Sequence, residues 1–231
     1  MDTLIRYRHL PHWDVDGATY FVTSCLEGSV PAKGLLDVAA FRKKLECDPA
    51  PPDLSEAEWN YRREKMIFGK LDNWLDTEPA TRHLENPELA KQVVDAMFHF
   101  VDERYALLAF VVMPSHFHWV FRPLDTWVRS LGEGANKRRP RERIMHSLKT
   151  KTAWECNQML KTSGAFWQDE SYDHCVRDEE ELYRIIEYVE NNPVKAGLVA
   201  KAEDWRFSSA AIRKRYGLSL RQAIGKEHSL T

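Results

Sequence analysis

The chain has 231 residues, a formal net charge of −2 at pH 7 and 43% hydrophobic residues. This length allows one large domain or two small ones, and the composition is ordinary for a globular protein. The near-balanced charge excludes a globally basic nucleic-acid binder, so any surface for DNA or RNA must be local.

Cysteine spacing and hydropathy exclude further classes of protein. Cys25, Cys47, Cys156 and Cys175 are scattered without Cys-x-x-Cys spacing, which disfavours a zinc finger or a disulfide framework. No apolar stretch approaches the length of a membrane span, and the N-terminus has no signal-peptide core. We therefore expect a cytoplasmic protein that has no membrane partner.

The first half of the chain begins with a strand and continues into an insertion. Residues 19–24 are β-branched and aromatic, which predicts a strand. Residues 28–86 are rich in charges and prolines and include a helical stretch from Ser55 to Leu75. We interpret this region as a largely helical insertion whose role the sequence does not reveal.

A helix and a hairpin follow. Apolar residues spaced by three and four predict a helix over 87–104, with Asn86 as its cap. Two apolar runs, 106–113 and 116–122, flank the Pro114-Ser115 turn and predict a β-hairpin.

The second half of the chain predicts a helix, a short strand and a closing helix. The helix covers 141–160, the strand covers 165–168, and residues 172–177 extend or follow that strand. The last helix covers 179–191, with Asp178 as N-cap and Glu181 completing a capping box. Pro193 is expected to end it.

The order strand, helix, strand, strand, helix, strand is the split βαβ or ferredoxin-like pattern. We predict an α+β fold, with an antiparallel sheet that carries helices on one face. The whole chain is interpreted as one domain, with the insertion at about 28–86 and a C-terminal extension at about 200–231.

Two histidines stand out in the second hairpin strand. Side chains at i and i+2 of a strand point to one face, so His116 and His118 lie side by side while Phe117 faces the opposite layer. Imidazole is the commonest metal ligand in proteins, although paired strand histidines also occur simply packed or hydrogen-bonded. Tyr188 and Asn192, four residues apart, share a face of the last helix, from which Asn192 can bring an amide oxygen to a metal.

Several stretches resemble one family. Residues 113–118 (MPSHFH) resemble the histidine–hydrophobe–histidine (HUH) motif of single-tyrosine transposases. Residues 166–168, 172–180, 187–199 (EYVENNPVKAGLV) and 204–209 resemble, in order, segments of the REP-associated tyrosine transposases (RAYTs). The resemblance covers about 7–26 and 88–210, and departs from the family at Ser115, where many relatives have Asn, and in the long insertion.

The resemblance implies a metal-dependent single-strand DNA nickase and strand transferase. It implies that His116 and His118 are metal ligands, that Asn192 is the third, and that Tyr188 is the nucleophile forming a 5′-phosphotyrosine link. It favours Mg²⁺ or Mn²⁺ as cofactor, single-stranded or hairpin (REP-like) DNA as partner, and a monomer or a homodimer. On ligand type alone, two imidazoles suit Mn²⁺ or Zn²⁺ better than Mg²⁺.

Several alternatives stay open. Tyr172 and Tyr183 are rival nucleophiles, and His174 is a rival ligand. The chain can also be a non-catalytic nucleic-acid-binding module on the same scaffold, or a metal-dependent phosphodiesterase that uses water. A run of seven basic residues beside one acid predicts a DNA-binding patch, or else a solvated charged face: Lys137, Arg138, Arg139, Arg141, Arg143, Lys149 and Lys151.

Overall fold

A computed structural model describes residues 4–7, 11–14, 17–132 and 139–217. The strands are β1 (Leu4–Tyr7), β2 (Pro11–Asp14), β3 (Tyr20–Cys25), β4 (Tyr105–Val112), β5 (His116–Pro123) and β6 (Tyr172–Cys175). The helices are α1 (Ala32–Cys47), α2 (Glu56–Thr77), α3 (Pro87–Phe98), α4 (Asp125–Ser130), α5 (Pro140–Leu160), α6 (Glu179–Lys195) and α7 (Ser209–Tyr216). Within these ranges, no helix has both the length and the apolar character needed to cross a membrane.

The main sheet has four strands in the order β4-β5-β3-β6, and every neighbouring pair is antiparallel. β5 is central, as predicted, because β3 and β4 pair with its two edges. This order, with α3 and α5 as the crossover helices, confirms the α+β, split βαβ prediction. The two-stranded sheet of β1 and β2 is an addition that the sequence did not suggest.

Helices cover both faces of the main sheet. α3 and α5 pack on one face, where Phe117 and Trp119 of β5 meet Val93 and Leu148. α6 lies on the opposite face, which also receives Phe68 of α2. The one-face prediction therefore holds for the crossover helices, while α6 and the inserted α2 cover the other side. Both faces of β5 are consequently buried.

Two predicted boundaries need correction. α3 ends at Phe98 rather than at residue 104, because Asp102 adopts a left-handed backbone conformation and turns the chain into β4. Residues 165–168 form only an isolated bridge, between Leu26 and Trp167, and the edge strand is β6 instead.

The prediction that Pro193 ends the last helix is wrong. Pro193 lies inside α6, which continues to Lys195. Proline lacks one backbone donor, but the last turn is still closed by the amides of Ala196 and Leu198, which donate to Asn192 and Pro193 at 2.9 Å each. The extra turn brings Lys195 onto the helix face that carries Tyr188.

The insertion supplies the long helix α2, which packs with α1. Ser55 caps α2, and Glu58 completes a capping box. The capping box predicted for α6 is only half formed. The Asp178 side chain accepts from the Glu181 amide, but the Glu181 carboxylate turns to Tyr61 and Lys65 of α2. These contacts connect α2 to the start of α6.

Candidate active site

The two histidines lie side by side on β5, on the face covered by α6. Both His116 and His118 are fully buried, and their Nε2 atoms are 3.2 Å apart. Phe117 between them packs on Trp167 in the opposite layer, as the strand alternation predicted. Two imidazole nitrogens thus converge on one point.

Hydroxyl groups fix the far side of each imidazole. Ser115 Oγ donates to the Leu75 carbonyl at 3.1 Å and lies 3.0 Å from His116 Nδ1. Because the single hydroxyl proton is used, Ser115 accepts from Nδ1–H, and His116 Nε2 is left with a lone pair. Thr23 Oγ1 is 2.7 Å from His118 Nδ1 and orients the second ring. Such partners prepare a histidine to bind metal.

Tyr188 of α6 reaches the histidines. Its ring centroid is 5.5 Å from that of His118, and it also packs edge-on against Phe21. Its hydroxyl donates to Asp72 of α2. The phenol and the His118 imidazole, more than 60 residues apart in sequence, are therefore in contact in the fold.

Asn192 and Lys195 continue the same face of α6. Asn192 is fully buried, and neither its amide nitrogen nor its oxygen has a hydrogen-bond partner among the described residues. It stands between Tyr188 and Lys195, which both contact Asp72. A buried amide without partners costs free energy unless a ligand satisfies it.

Two acids of α2 enter the site, and sequence reasoning missed both. Asp72 Oδ1 is 3.3 Å from His118 Nε2 and 4.0 Å from His116 Nε2. Asp76 Oδ1 is 3.8 Å from His116 Nε2. Lys195 Nζ bridges the two acids, at 3.0 Å from Asp72 Oδ2 and 2.9 Å from Asp76 Oδ2.

A signal for these acids was present. Ile67, Phe68, Leu71 and Leu75 form an apolar stripe at helical spacing, and Asp72 falls within it. An aspartate on the buried face of a helix is unusual without a partner. The sequence does not reveal against which surface that stripe docks.

Burial and mutual charge shape the protonation of the site. Burial alone would raise the pKa of Asp72, but His118, His116 and Lys195 together lower it below its usual range. Burial and the charge of Asp72 raise the pKa of Asp76 to about 6. Burial and His118 lower the pKa of His116 to about 3, so that ring is neutral. Burial, then Asp72, raises the pKa of Tyr188, which stays protonated.

The side chains present fit a divalent cation. One ligand atom each from Asp72, His116 and His118 lies within 4.8 Å of the others. Asp72 Oδ1 has no hydrogen-bond partner among the described residues, and the Asn192 oxygen is equally unsatisfied. Two carboxylates opposed by one lysine also leave a net negative charge in a buried place, which a cation would offset.

The rival residues have other partners. Tyr183 is hydrogen-bonded to Glu179, one turn away on its own helix. His174 faces Glu181, at 3.2 Å. Tyr172 is buried and stacks on Phe68 with ring centroids 3.9 Å apart. Tyr188 is the tyrosine whose hydroxyl contacts the acid beside the histidines.

The predicted basic patch is only partly available. Lys137 and Arg138 lie outside the described residues. Arg141 is buried and pairs with Asp173 at 3.2 Å, and Lys149 donates to the carbonyls of Gln168 and Asp169. Lys151 is exposed beside Glu155, and Arg139 and Arg143 are half-buried at the start of α5.

Two known proteins match parts of this sequence. A REP-associated tyrosine transposase of Escherichia coli K12 is 29% identical over 108 residues, which cover 47% of this chain and 56% of that protein. A Haemophilus influenzae protein provisionally given the same name is 35% identical over 60 residues, which cover 24% of this chain and 34% of that protein. This chain is similar to REP-associated tyrosine transposases. Both matches span less than two thirds of the RAYT relatives' length.

The structural comparison agrees with the sequence matches. A solved structure of a REP-associated tyrosine transposase bound to a REP hairpin superimposes with a TM-score of 0.54 at 16% identity. The superposition covers 93% of this chain and 87% of that RAYT chain, so the two share a fold. No protein-family model matches the sequence.

Proposed function

We propose that this chain is a metal-dependent transposase that cleaves and rejoins single-stranded DNA through a 5′-phosphotyrosine intermediate. Tyr188 is the nucleophile, and His116, His118 and Asn192 hold a Mg²⁺ or Mn²⁺ ion. The observation that carries the proposal is the contact of Tyr188 with His118 and with the acid beside it, at ring centroids 5.5 Å apart.

The residues divide the chemistry between them. The Tyr188 oxygen attacks phosphorus in line, the bond to the 3′ oxygen breaks, and that oxygen ends as a hydroxyl, so the tyrosine proton is balanced. His116 and His118 present their Nε2 atoms to the ion, oriented by Ser115 and Thr23. The bound cation would neutralise the phosphate oxygens. Since the bond energy is kept in the phosphotyrosine, rejoining needs no ATP.

The proposed partner is hairpin DNA with single-stranded flanks. Support comes from the solved relative, which is described as bound to a REP hairpin. Arg139, Arg143 and Lys151 are the described members of the basic run best exposed to meet phosphates. Lys137 and Arg138 are proposed to contact DNA as well. Arg141 and Lys149 bond to protein groups and are proposed to support the patch from within the protein.

The test is formation of a covalent adduct. A pool of hairpin oligonucleotides with randomised single-stranded flanks, labelled at the 3′ end, is incubated with protein and Mn²⁺. Because the tyrosine keeps the 5′ phosphate, the label should migrate with the protein on a denaturing gel. Adduct should disappear with EDTA and in Tyr188→Phe, and persist in the control Tyr183→Phe, whose hydroxyl meets Glu179.

Other outcomes favour the alternative functions. Undiminished adduct in Tyr188→Phe would remove Tyr188 as nucleophile. Multiple turnover without adduct would favour a phosphodiesterase that uses water. Salt-sensitive binding without cleavage under any divalent ion would favour a non-catalytic binding module.

A further inference from the structure

The inserted helix α2 contacts three of the four residues that carry the proposed function. These are His116 and His118 of β5 and Tyr188 of α6. Asp72 faces both histidines, and its second oxygen accepts from Tyr188. The Leu75 carbonyl accepts from Ser115, which orients His116. These contacts come from a segment outside the stretches that carry the family resemblance.

We infer that Asp72 is an additional ligand of the active-site cation and the residue that positions Tyr188 beside it. The inference deepens the proposed function and rests on it. It makes the insertion a component of the catalytic centre rather than an accessory.

The distances already match a coordination shell. His116 Nε2, His118 Nε2 and Asp72 Oδ1 form a triangle with sides of 3.2, 3.3 and 4.0 Å. Atoms bound at about 2.1 Å to one ion lie about 3.0 Å apart at a right angle and about 3.4 Å apart at a tetrahedral angle. Two sides fit as they stand, and the third, at 4.0 Å, must shorten by about 0.6 Å to reach the tetrahedral spacing.

The two oxygens of Asp72 have different partners. Oδ2 accepts from Tyr188 and pairs with Lys195, whereas Oδ1 faces the imidazoles without a hydrogen-bond partner among the described residues. One carboxylate therefore joins the ion site to the nucleophile.

The donor set also indicates the kind of ion. Two imidazole nitrogens alone favour softer ions such as Zn²⁺. Adding the oxygens of Asp72 and Asn192 gives a mixed nitrogen and oxygen set, which suits Mn²⁺ and leaves positions for phosphate oxygens.

The test is Mn²⁺ binding in the absence of DNA, measured by calorimetry. Asp72→Asn should weaken binding at least about tenfold, because it replaces an anionic carboxylate ligand with a neutral amide. The matched control is Asp95→Asn, which removes the same charge from an exposed aspartate of α3 that pairs with Lys91, and it should leave affinity unchanged. Asp72→Glu, which restores the carboxylate, should recover part of the affinity.

Two results would overturn the inference: unchanged affinity in Asp72→Asn, or equal losses in the Asp72 and Asp95 variants. If the Asp72 variants do not fold, a second measurement that leaves Asp72 in place still tests the inference. In Asp76→Asn protein labelled with ¹³C at aspartate carboxyls, bound Mn²⁺ should show strong electron–nuclear coupling, and its absence would also refute ligation. Since no DNA is present, this result is independent of the adduct assay.

Discussion

The two faces of β5 differ in what stabilises them. Phe117, Trp119 and Phe121 point into an apolar core against α3 and α5. On the opposite face, His116 and His118 lie beside buried acids of α2 and a phenol of α6, while Val120, further along the strand, joins a second apolar cluster. One face gains free energy from apolar burial, whereas the other buries polar groups that need exact partners or a ligand. Stability and chemistry are therefore assigned to alternate residues of one strand.

The largest expected effect lies on the apolar face. Trp119 is fully buried, so Trp119→Ala should lower the free energy of unfolding by about 3–5 kcal/mol. Trp154, 67% exposed, is the matched control, and Trp154→Ala should cost less than about 0.5 kcal/mol. Denaturant unfolding measures both. Similar values for the two variants would contradict the division between the faces.

On the site face, a smaller change should affect binding more than folding. Ser115→Ala removes the acceptor of His116 Nδ1–H, so Mn²⁺ affinity should fall about tenfold. Ser130→Ala, at an exposed serine whose hydroxyl donates to the Trp127 carbonyl, is the control and should leave affinity unchanged. Calorimetry checks both, and equal affinities would remove Ser115 from the site.

A further effect is a pH dependence at the contact between α2 and α6. Burial opposes ionisation of Glu181, but Tyr61, the Arg177 amide and Lys65 lower its pKa from 4.5 to about 2. The contribution of Glu181 to stability is therefore complete above pH 4.5 and is lost as the pH falls towards 2. Glu181→Gln should flatten the free energy of unfolding across this window.

The exposed neighbour Glu180 gives the matched control for that pH profile. Its side chain is 82% exposed, and its ion pair with Arg184 lies on the helix surface. Glu180→Gln should keep the slope of the parent protein between pH 2 and 4.5. An unchanged slope in Glu181→Gln would show that this contact contributes nothing to acid stability.

Much of the fold followed from local patterns. The alternation of apolar and histidine residues in β5 predicted which side chains share a face, and the spacing of α6 predicted its buried stripe. Strand order followed from the sequence of elements. The predicted end of α6 was wrong because a proline in the last turn removes only one hydrogen bond, and the amides that follow it still close the turn.

The site was only partly predictable for a different reason. His116, His118 and Tyr188 lie on elements whose pairing is dictated by the sheet, and the family resemblance assigned their roles. Asp72 enters through the docking of a helix that is distant in sequence and follows no repeat or known motif. Periodicity revealed that its face is buried, but only the tertiary structure reveals what it meets.

The turn at Pro114-Ser115 limits how far this hairpin can tolerate a change in length. It is closed by the Met113 amide donating to the His116 carbonyl at 2.8 Å, directly before the first histidine. One residue added or removed there would rotate every later side chain of β5 to the other surface. The imidazoles would then enter the apolar core against α3 and α5, and aromatic rings would replace them beside Tyr188. Deletions and insertions at this hairpin should therefore be tolerated far less than substitutions.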